Sequence, residues 1–311
     1  MIQSILVSAA LVWTAVAGSA ATEMATRLGW VQEVRSLLPS VTVADRPAAF
    51  RNYAAALVDV GQCDTAKEVL EGDESFDAEL VAIVMDHARH LGDARCAALL
   101  GKLVISRLQS STFASSPRIA ALRMAAGAAI QVGGDEATGA SLIRDAEAAL
   151  QPDGPASTLK SDQVGAQTLW AARADILDTY AGTPYHAPAL TRFGRELATS
   201  LARSKTYLPL PKIRGWAMRF AASDRADLVD LIASKLWPAD KQEFIQAATL
   251  VRHPEIAETL SNKPKPQCGE SLGLHAAPPR SSEKQDAFAR IVDLSIRSSR
   301  AATVARCVTL R

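Results

Sequence analysis

The chain has 311 residues, and its 34 Lys and Arg residues nearly balance its 33 Asp and Glu residues, which leaves a formal net charge of +1. A chain so close to neutral has no strong positive electrostatic field that would attract nucleic acid or an anionic membrane surface. We therefore expect neither as a partner. Hydrophobic residues make up 48 % of the chain, but aromatic residues only 5 %. Ala, Leu and Val supply most of the hydrophobic content, and Ala and Leu favour helices.

Residues 1–20 are uncharged and contain an apolar run from Ile5 to Ala17, which small residues follow as far as Ala20. This pattern predicts a secretory signal peptide over 1–20, with a second cleavage site after Ala17. The run is shorter than the roughly 20 apolar residues that span a bilayer; the alternatives are an uncleaved anchor and a buried first helix. We therefore expect a periplasmic or secreted mature chain without stable membrane insertion.

The chain contains four cysteines, and their spacing matches neither a CxxC motif nor a zinc-ligand pattern. An even number of cysteines in an exported protein favours two disulfides, for which three pairings exist. The alternative is a set of isolated buried thiols. The cysteines are Cys63, Cys96, Cys268 and Cys307.

Helical periodicity dominates from Asp45 onward. A helix is predicted to begin there, with Asp45 as N-cap and Pro47 in the first turn, and to end at Gly61. Its apolar positions recur at helical spacing and form one stripe. The members of that stripe are Phe50, Tyr53, Ala54, Leu57 and Val58.

A helix–glycine–helix unit recurs around Gly61, Gly92 and Gly133. In each unit the glycine is predicted to end one helix in a left-handed conformation, and a small residue lets the next helix pack closely. The intervals between these glycines fall in the range of roughly 30 to 45 residues that is typical of stacked helical hairpins.

Glycine at the turn and alanine shortly after it, at Ala66, Ala97 and Ala137, are shared with a known repeat family. Over residues 45–150 the chain resembles tetratricopeptide-like repeats. The resemblance implies stacked helical hairpins and, in general terms, the binding of protein partners.

Further helices are predicted beyond residue 150, separated by loops rich in Pro and Gly. We expect an all-α fold: an α-solenoid of stacked hairpins over 21–260, followed by a C-terminal loop-plus-helix cap over 261–311. The predicted later helices are Val164–Tyr180, Ala189–Ser204, Ile213–Ala222, Arg225–Leu236, Asp240–Val251 and Glu283–Cys307. The tryptophans of this region, Trp170, Trp216 and Trp237, are predicted to lie in the core.

The hairpin model also selects one cysteine pairing. Cys63 and Cys96 each lie just after a turn glycine, near the start of the second helix of a hairpin. Equivalent positions of neighbouring hairpins lie side by side, so these two thiols are predicted to pair. Cys268 and Cys307 then form the second disulfide and tie the C-terminal loop to the last helix.

Two short segments contain residues that could carry chemistry. His87 and His90 could share a metal on one helix face, but no third ligand is evident, and the favoured interpretation is a helix end where His and Arg offset the dipole. Glu270-Ser271 matches the Glu-Ser pair of soluble lytic transglycosylases, although too little chain follows for a lysozyme-like domain. We expect no metal and no cofactor.

The favoured function is therefore a non-enzymatic scaffold that binds a peptide or protein of the cell envelope along a concave helical face. Polar residues on the leading helices are the candidate partner-binding residues: Arg51, Asn52, Arg123 and Arg173. The alternative is an enzyme, or an accessory subunit of one, that acts on cell-wall glycan with Glu270 as the catalytic acid.

Overall fold

The computed structural model describes residues 22, 24–72, 76–109, 116–150, 162–202, 210–251 and 287–309. Every regular element in these ranges is helical, and no strand occurs among them. The predicted all-α fold class is confirmed. The signal peptide over 1–20, Cys268 and Glu270 lie outside the described residues.

Short turns join several of the consecutive helices. Before the second of them, Leu38–Ser40 forms a short 3-10 turn. In chain order the helices are α1 (24–37), α2 (Arg46–Asp59), α3 (Cys63–Glu71), α4 (Ala78–His90), α5 (Ala94–Gln109), α6 (Pro117–Val132), α7 (Glu136–Leu150), α8 (Asp162–Thr179), α9 (His186–Ala202), α10 (Leu210–Ala222), α11 (Ala226–Ala233), α12 (Pro238–Val251) and α13 (Ala287–Thr309).

The chain divides into two compact units. Unit 1 consists of Met1–Leu103 and Pro266–Arg311, and unit 2 consists of Val104–Lys265. The predicted division at residue 260 lies outside the residues that the structure describes, so it stays a prediction. None of the described helices combines the length and apolar character that a membrane crossing needs.

In unit 1, helix α2 packs against α3, α4 and the C-terminal helix α13. Its predicted apolar stripe is largely buried: Leu57 is 1 % exposed, and Phe50 contacts Phe76 with the ring centroids 5.5 Å apart. Ser295 Oγ of α13 donates a hydrogen bond to the backbone oxygen of Asn52 at 3.1 Å. The last helix of the chain therefore lies on the first predicted hairpin.

The helix-ending turns share one backbone pattern. Gly61 and Gly92 have φ angles of 74° and 68°, which confirms the predicted left-handed conformation. In the third turn the left-handed residue is Gly134, with φ 104°, and not Gly133, whose φ is −76°. After each of these residues, a backbone N–H donates to the carbonyl five positions earlier, as in a Schellman motif. Asp224, with φ 54°, repeats the pattern without glycine.

The structure confirms the Cys63–Cys96 disulfide. The two Cα atoms are 5.6 Å apart, within the range that disulfides require. Cys63 begins α3, and Cys96 lies in the first turn of α5, where its N–H donates to Asp93 Oδ1 at 2.9 Å. The Cys268–Cys307 pair stays a prediction, because Cys268 and the side chain of Cys307 lie outside the described residues.

A buried carboxylate links three helices of unit 1. The Asp59 side chain at the end of α2 is fully buried. His87 Nε2 on α4 lies 2.7 Å from Asp59 Oδ1, and Ser299 Oγ on α13 donates to Asp59 Oδ2 at 3.2 Å. His87 is one of the two histidines that could have shared a metal according to the sequence. Its side chain instead pairs with Asp59.

We expect His87→Ala to lower the free energy of unfolding by about 2 kcal/mol, because it leaves a buried carboxylate oxygen without its donor. His90→Ala is the matched control. The His90 side chain is 66 % exposed, so its loss should change stability by less than about 0.5 kcal/mol. Urea unfolding measures both variants. Equal effects would show that Asp59 does not depend on His87.

Unit 2 combines a close helix pair with an aromatic core. Helices α6 and α7 pack across Gly127 and Gly139, where a Cβ on Gly139 would lie 2.5 Å from the backbone oxygen of Gly127.

Trp170 and Trp216 are buried, as predicted, and each contacts Phe193 edge to face. The core prediction is wrong for Trp237, which is 78 % exposed because it precedes α12 at a helix start rather than on a packed face.

Candidate binding cleft

Unit 2 contains an open cleft of about 290 Å³. It lies between the end of α6, the middle of α7 and the turn that joins α8 to α9. Its volume lies just below the range of roughly 300–1,000 Å³ that is typical of ligand pockets. The lining residues that matter for its chemistry are Gln131, Ile143, Arg144, Tyr180, Tyr185 and Arg192.

The turn between α8 and α9 positions two tyrosines in this cleft. Gly182 adopts φ 75°, which reverses the chain just after Tyr180. Thr183 Oγ1 then donates to the carbonyl oxygen of Tyr180 at 2.7 Å and accepts the N–H of Tyr185 at 3.3 Å. The two rings lie 5.5 Å apart at their centroids. The turn thus holds a tyrosine pair in a defined orientation.

The hydroxyl of Tyr180 is a fixed hydrogen-bond donor. It donates to Gln131 Oε1 at the end of α6. Burial raises the pKa of Tyr180 to about 12, although the charge of Arg192 opposes the rise. The hydroxyl is therefore neutral at physiological pH and is not a general base there.

This pKa predicts a loss of stability at alkaline pH. Below pH 10, the ordinary tyrosine value, Tyr180 is protonated in both the folded and the unfolded state, so its stabilising contribution is fully present. As the pH rises towards 12, only the unfolded state releases the proton readily, and the contribution is lost.

We expect the stability advantage of the wild type over Tyr180→Phe to shrink by roughly 2 kcal/mol between pH 9 and pH 12. Urea unfolding of both proteins at several pH values provides the measurement. A difference that does not depend on pH would show that the pKa of Tyr180 is not raised.

Two arginines give the rim of the cleft a positive charge. Arg144 on α7 is exposed, and within the described part of the chain the structure shows no ion pair for it. The Arg192 side chain is 52 % exposed and lies 3.5 Å from Glu147 Oε1. The Glu147 side chain is 14 % exposed, and its Oε1 also accepts a hydrogen bond from Arg173 Nε at 3.3 Å. Because this one carboxylate is shared between two guanidinium groups, it does not neutralise the positive charge of the rim.

Arg173, a predicted partner-binding residue, lies in an ion network beside the cleft. Its Nη1 is 2.7 Å from Glu196 Oε2, and its guanidinium lies 4.9 Å from the centre of the Trp170 ring. Its side chain is only 12 % exposed. The network joins α7, α8 and α9, and its Glu147 carboxylate is shared between Arg173 and the rim residue Arg192.

The other three predicted partner-binding residues do not line this cleft. Arg51 and Asn52 are half-buried on α2 of unit 1, and Asn52 accepts the hydrogen bond from Ser295. Arg123 is half-buried on α6 of unit 2 and does not line the cleft.

Sequence reasoning missed the cleft itself. The signal that could have found it is the pair of tyrosines, Tyr180 and Tyr185, on either side of the predicted break at Gly182. No group of three or more metal-binding side chains occurs among the described residues.

No protein-family model, curated protein or solved structure matches this chain. The resemblance of residues 45–150 to tetratricopeptide-like repeats gains no support from these comparisons.

Proposed function

We propose that this chain is an exported helical protein without catalytic activity, which binds a peptide or protein partner of the cell envelope through the cleft of unit 2. The observation that carries the proposal is the combination of the tyrosine pair, an apolar floor formed by Ala140, Ile143 and Ala189, and the two rim arginines in one concave site. Tyrosine and arginine, together with tryptophan, are enriched among the residues that contribute most binding energy at protein interfaces.

The polar groups of the cleft favour binding over catalysis. The Tyr180 hydroxyl is engaged by Gln131 and keeps its proton at neutral pH. A rigid tyrosine pair offers a contact surface that loses little side-chain entropy on binding. A few well-placed polar groups around an apolar surface are typical of recognition sites.

The α-solenoid arrangement with its C-terminal cap belongs to this proposal. Its support is the shared turn at Gly61, Gly92 and Gly134, which joins consecutive helices into hairpins. Stacked hairpins of this kind present extended binding surfaces in repeat proteins.

Export is the second part of the proposal. The Cys63–Cys96 disulfide is compatible with an oxidising compartment, where such bonds persist. N-terminal sequencing of protein expressed in its host should begin at Ala21, or at Gly18 if the second cleavage site is used. Soluble cytoplasmic protein that retains Met1 would contradict export.

Site-directed photo-crosslinking tests the binding function. A photoreactive phenylalanine analogue replaces Tyr185 in the full chain, and the control variant carries it at Arg195, which is exposed on α9 and does not line the cleft. We expect a discrete adduct with one envelope peptide or protein from position 185 and none from position 195, with the partner identified by mass spectrometry. Identical patterns from both positions would contradict the proposal.

The alternative function, glycan cleavage through Glu270, has a separate test. Purified protein is incubated with cell-wall glycan, and soluble fragments are measured. Cleavage that disappears in Glu270→Gln would replace the binding proposal with the enzymatic one.

A further inference from the structure

We infer that the cleft of unit 2 recognises an acidic peptide, in which a carboxylate is held by Arg144 and Arg192 and a neighbouring apolar side chain lies on the floor between them and the tyrosines. This inference rests on the binding function proposed above and specifies the chemistry of the partner.

The charged side chains around the cleft indicate where the carboxylate of the peptide would bind. Arg144 has no ion-pair partner within the described residues, and Arg192 meets Glu147 only at 3.5 Å. Glu147 and Glu196 are both engaged by Arg173. Among these side chains three guanidinium groups face two carboxylates, so the rim keeps an excess positive charge. Arg144 is available to bind a carboxylate, for which the planar donor geometry of a guanidinium is well suited.

The floor of the cleft indicates where the neighbouring apolar side chain of the peptide would bind. Buried Ile143 and half-buried Ala140 and Ala189 line it, and Tyr185 forms one wall. These side chains offer apolar surface, which favours an aliphatic or aromatic side chain of the partner.

The same floor favours a peptide over an anionic saccharide. A sugar ring presents hydroxyl groups around its whole edge, and burying them against Ile143, Ala140 and Ala189 would leave them without hydrogen-bond partners. A peptide can place its carboxylate at the rim and an apolar side chain on the floor, so that each group meets matching chemistry.

Fluorescence polarisation with defined probes tests the inference. The probes are fluorescein-labelled hexapeptide pools whose central pair is fixed as Glu-Leu, Gln-Leu or Lys-Leu and whose other positions are mixed uncharged residues. A labelled oligogalacturonate supplies carboxylates on a saccharide. The full chain is compared with Arg144→Gln, Arg192→Gln and the control Arg195→Gln, which removes the same charge outside the cleft.

We expect the Glu-Leu pool to bind about tenfold more tightly than the Gln-Leu pool, and the Lys-Leu pool to bind most weakly. Arg144→Gln and Arg192→Gln should each weaken binding of the Glu-Leu pool about three- to tenfold, while Arg195→Gln leaves it unchanged. Arg144 is exposed, so its replacement is not expected to disturb the fold.

Equal binding of the Glu-Leu and Gln-Leu pools would overturn the inference, as would an affinity that the rim variants leave unchanged. Arginine-dependent binding of the oligogalacturonate without peptide binding would overturn it in favour of an anionic glycan. If no pool binds but position 185 still captures a partner, only the acidic-peptide inference fails. If no pool binds and no adduct forms, the binding function fails as well.

Discussion

Removing the Cys63–Cys96 disulfide is expected to lower the free energy of unfolding by roughly 3–4 kcal/mol. The bond joins residues 33 positions apart, and opening that loop restores conformational entropy to the unfolded chain. The bond also joins the start of α3 to the first turn of α5 within unit 1, so its loss should release two neighbouring hairpins.

The measurement compares two proteins by urea unfolding. Both carry Ser at positions 268 and 307, and one also carries Cys63→Ala and Cys96→Ala, so that a single disulfide distinguishes them. Adding a thiol reductant should bring the first protein to the midpoint of the second and leave the second unchanged. Equal midpoints before reduction would contradict the stabilising role of this bond.

Replacing Gly139 by alanine is expected to cost about 3 kcal/mol of folding free energy. The added Cβ would lie 2.5 Å from the Gly127 backbone oxygen and 2.6 Å from Gln131 Cβ, so α6 and α7 would have to separate. Backbone cannot yield as a flexible side chain can, and overpacking of this kind is among the larger single-residue penalties. The shift would also move Gln131, which holds the Tyr180 hydroxyl in the cleft.

Gly215→Ala is the matched control. Its added Cβ on α10 meets no atom within 4 Å, so the same substitution should leave stability unchanged or raise it by up to about 1 kcal/mol. Thermal or urea unfolding distinguishes the two variants. A cost below about 1 kcal/mol for Gly139→Ala would show that α6 and α7 do not approach so closely.

The sequence predicts the parts of this fold that depend on local chemistry. A left-handed turn favours a residue without a Cβ, so Gly61 and Gly92 identified their turns directly. In the third turn two glycines stand together, and backbone hydrogen bonding selects Gly134 over Gly133. The Cys63–Cys96 pairing followed from the equivalence of the two cysteines within their hairpins.

The parts that depend on distant residues could not be predicted in this way. Asp59 and His87 belong to different helices, and nothing in their local sequence indicates that they meet in the core of unit 1. The contact between Tyr180 and Gln131 likewise depends on how α6 and α8 pack. Helical periodicity was also too weak a guide for Trp237, because a residue before a helix start does not share the packed face of that helix.

Hydrogen–deuterium exchange of the full chain, with and without a saturating amount of the Glu-Leu peptide pool, tests the central claim most directly. The tyrosine pair, Arg144 and Arg192 form one binding surface in this account, so exchange should slow in residues 140–144 and 180–192 and stay unchanged on α2 and around Trp237. Slowed exchange around the exposed Trp237, or on α2 near Arg51 and Asn52, with none in the cleft would place the binding site elsewhere and contradict the account.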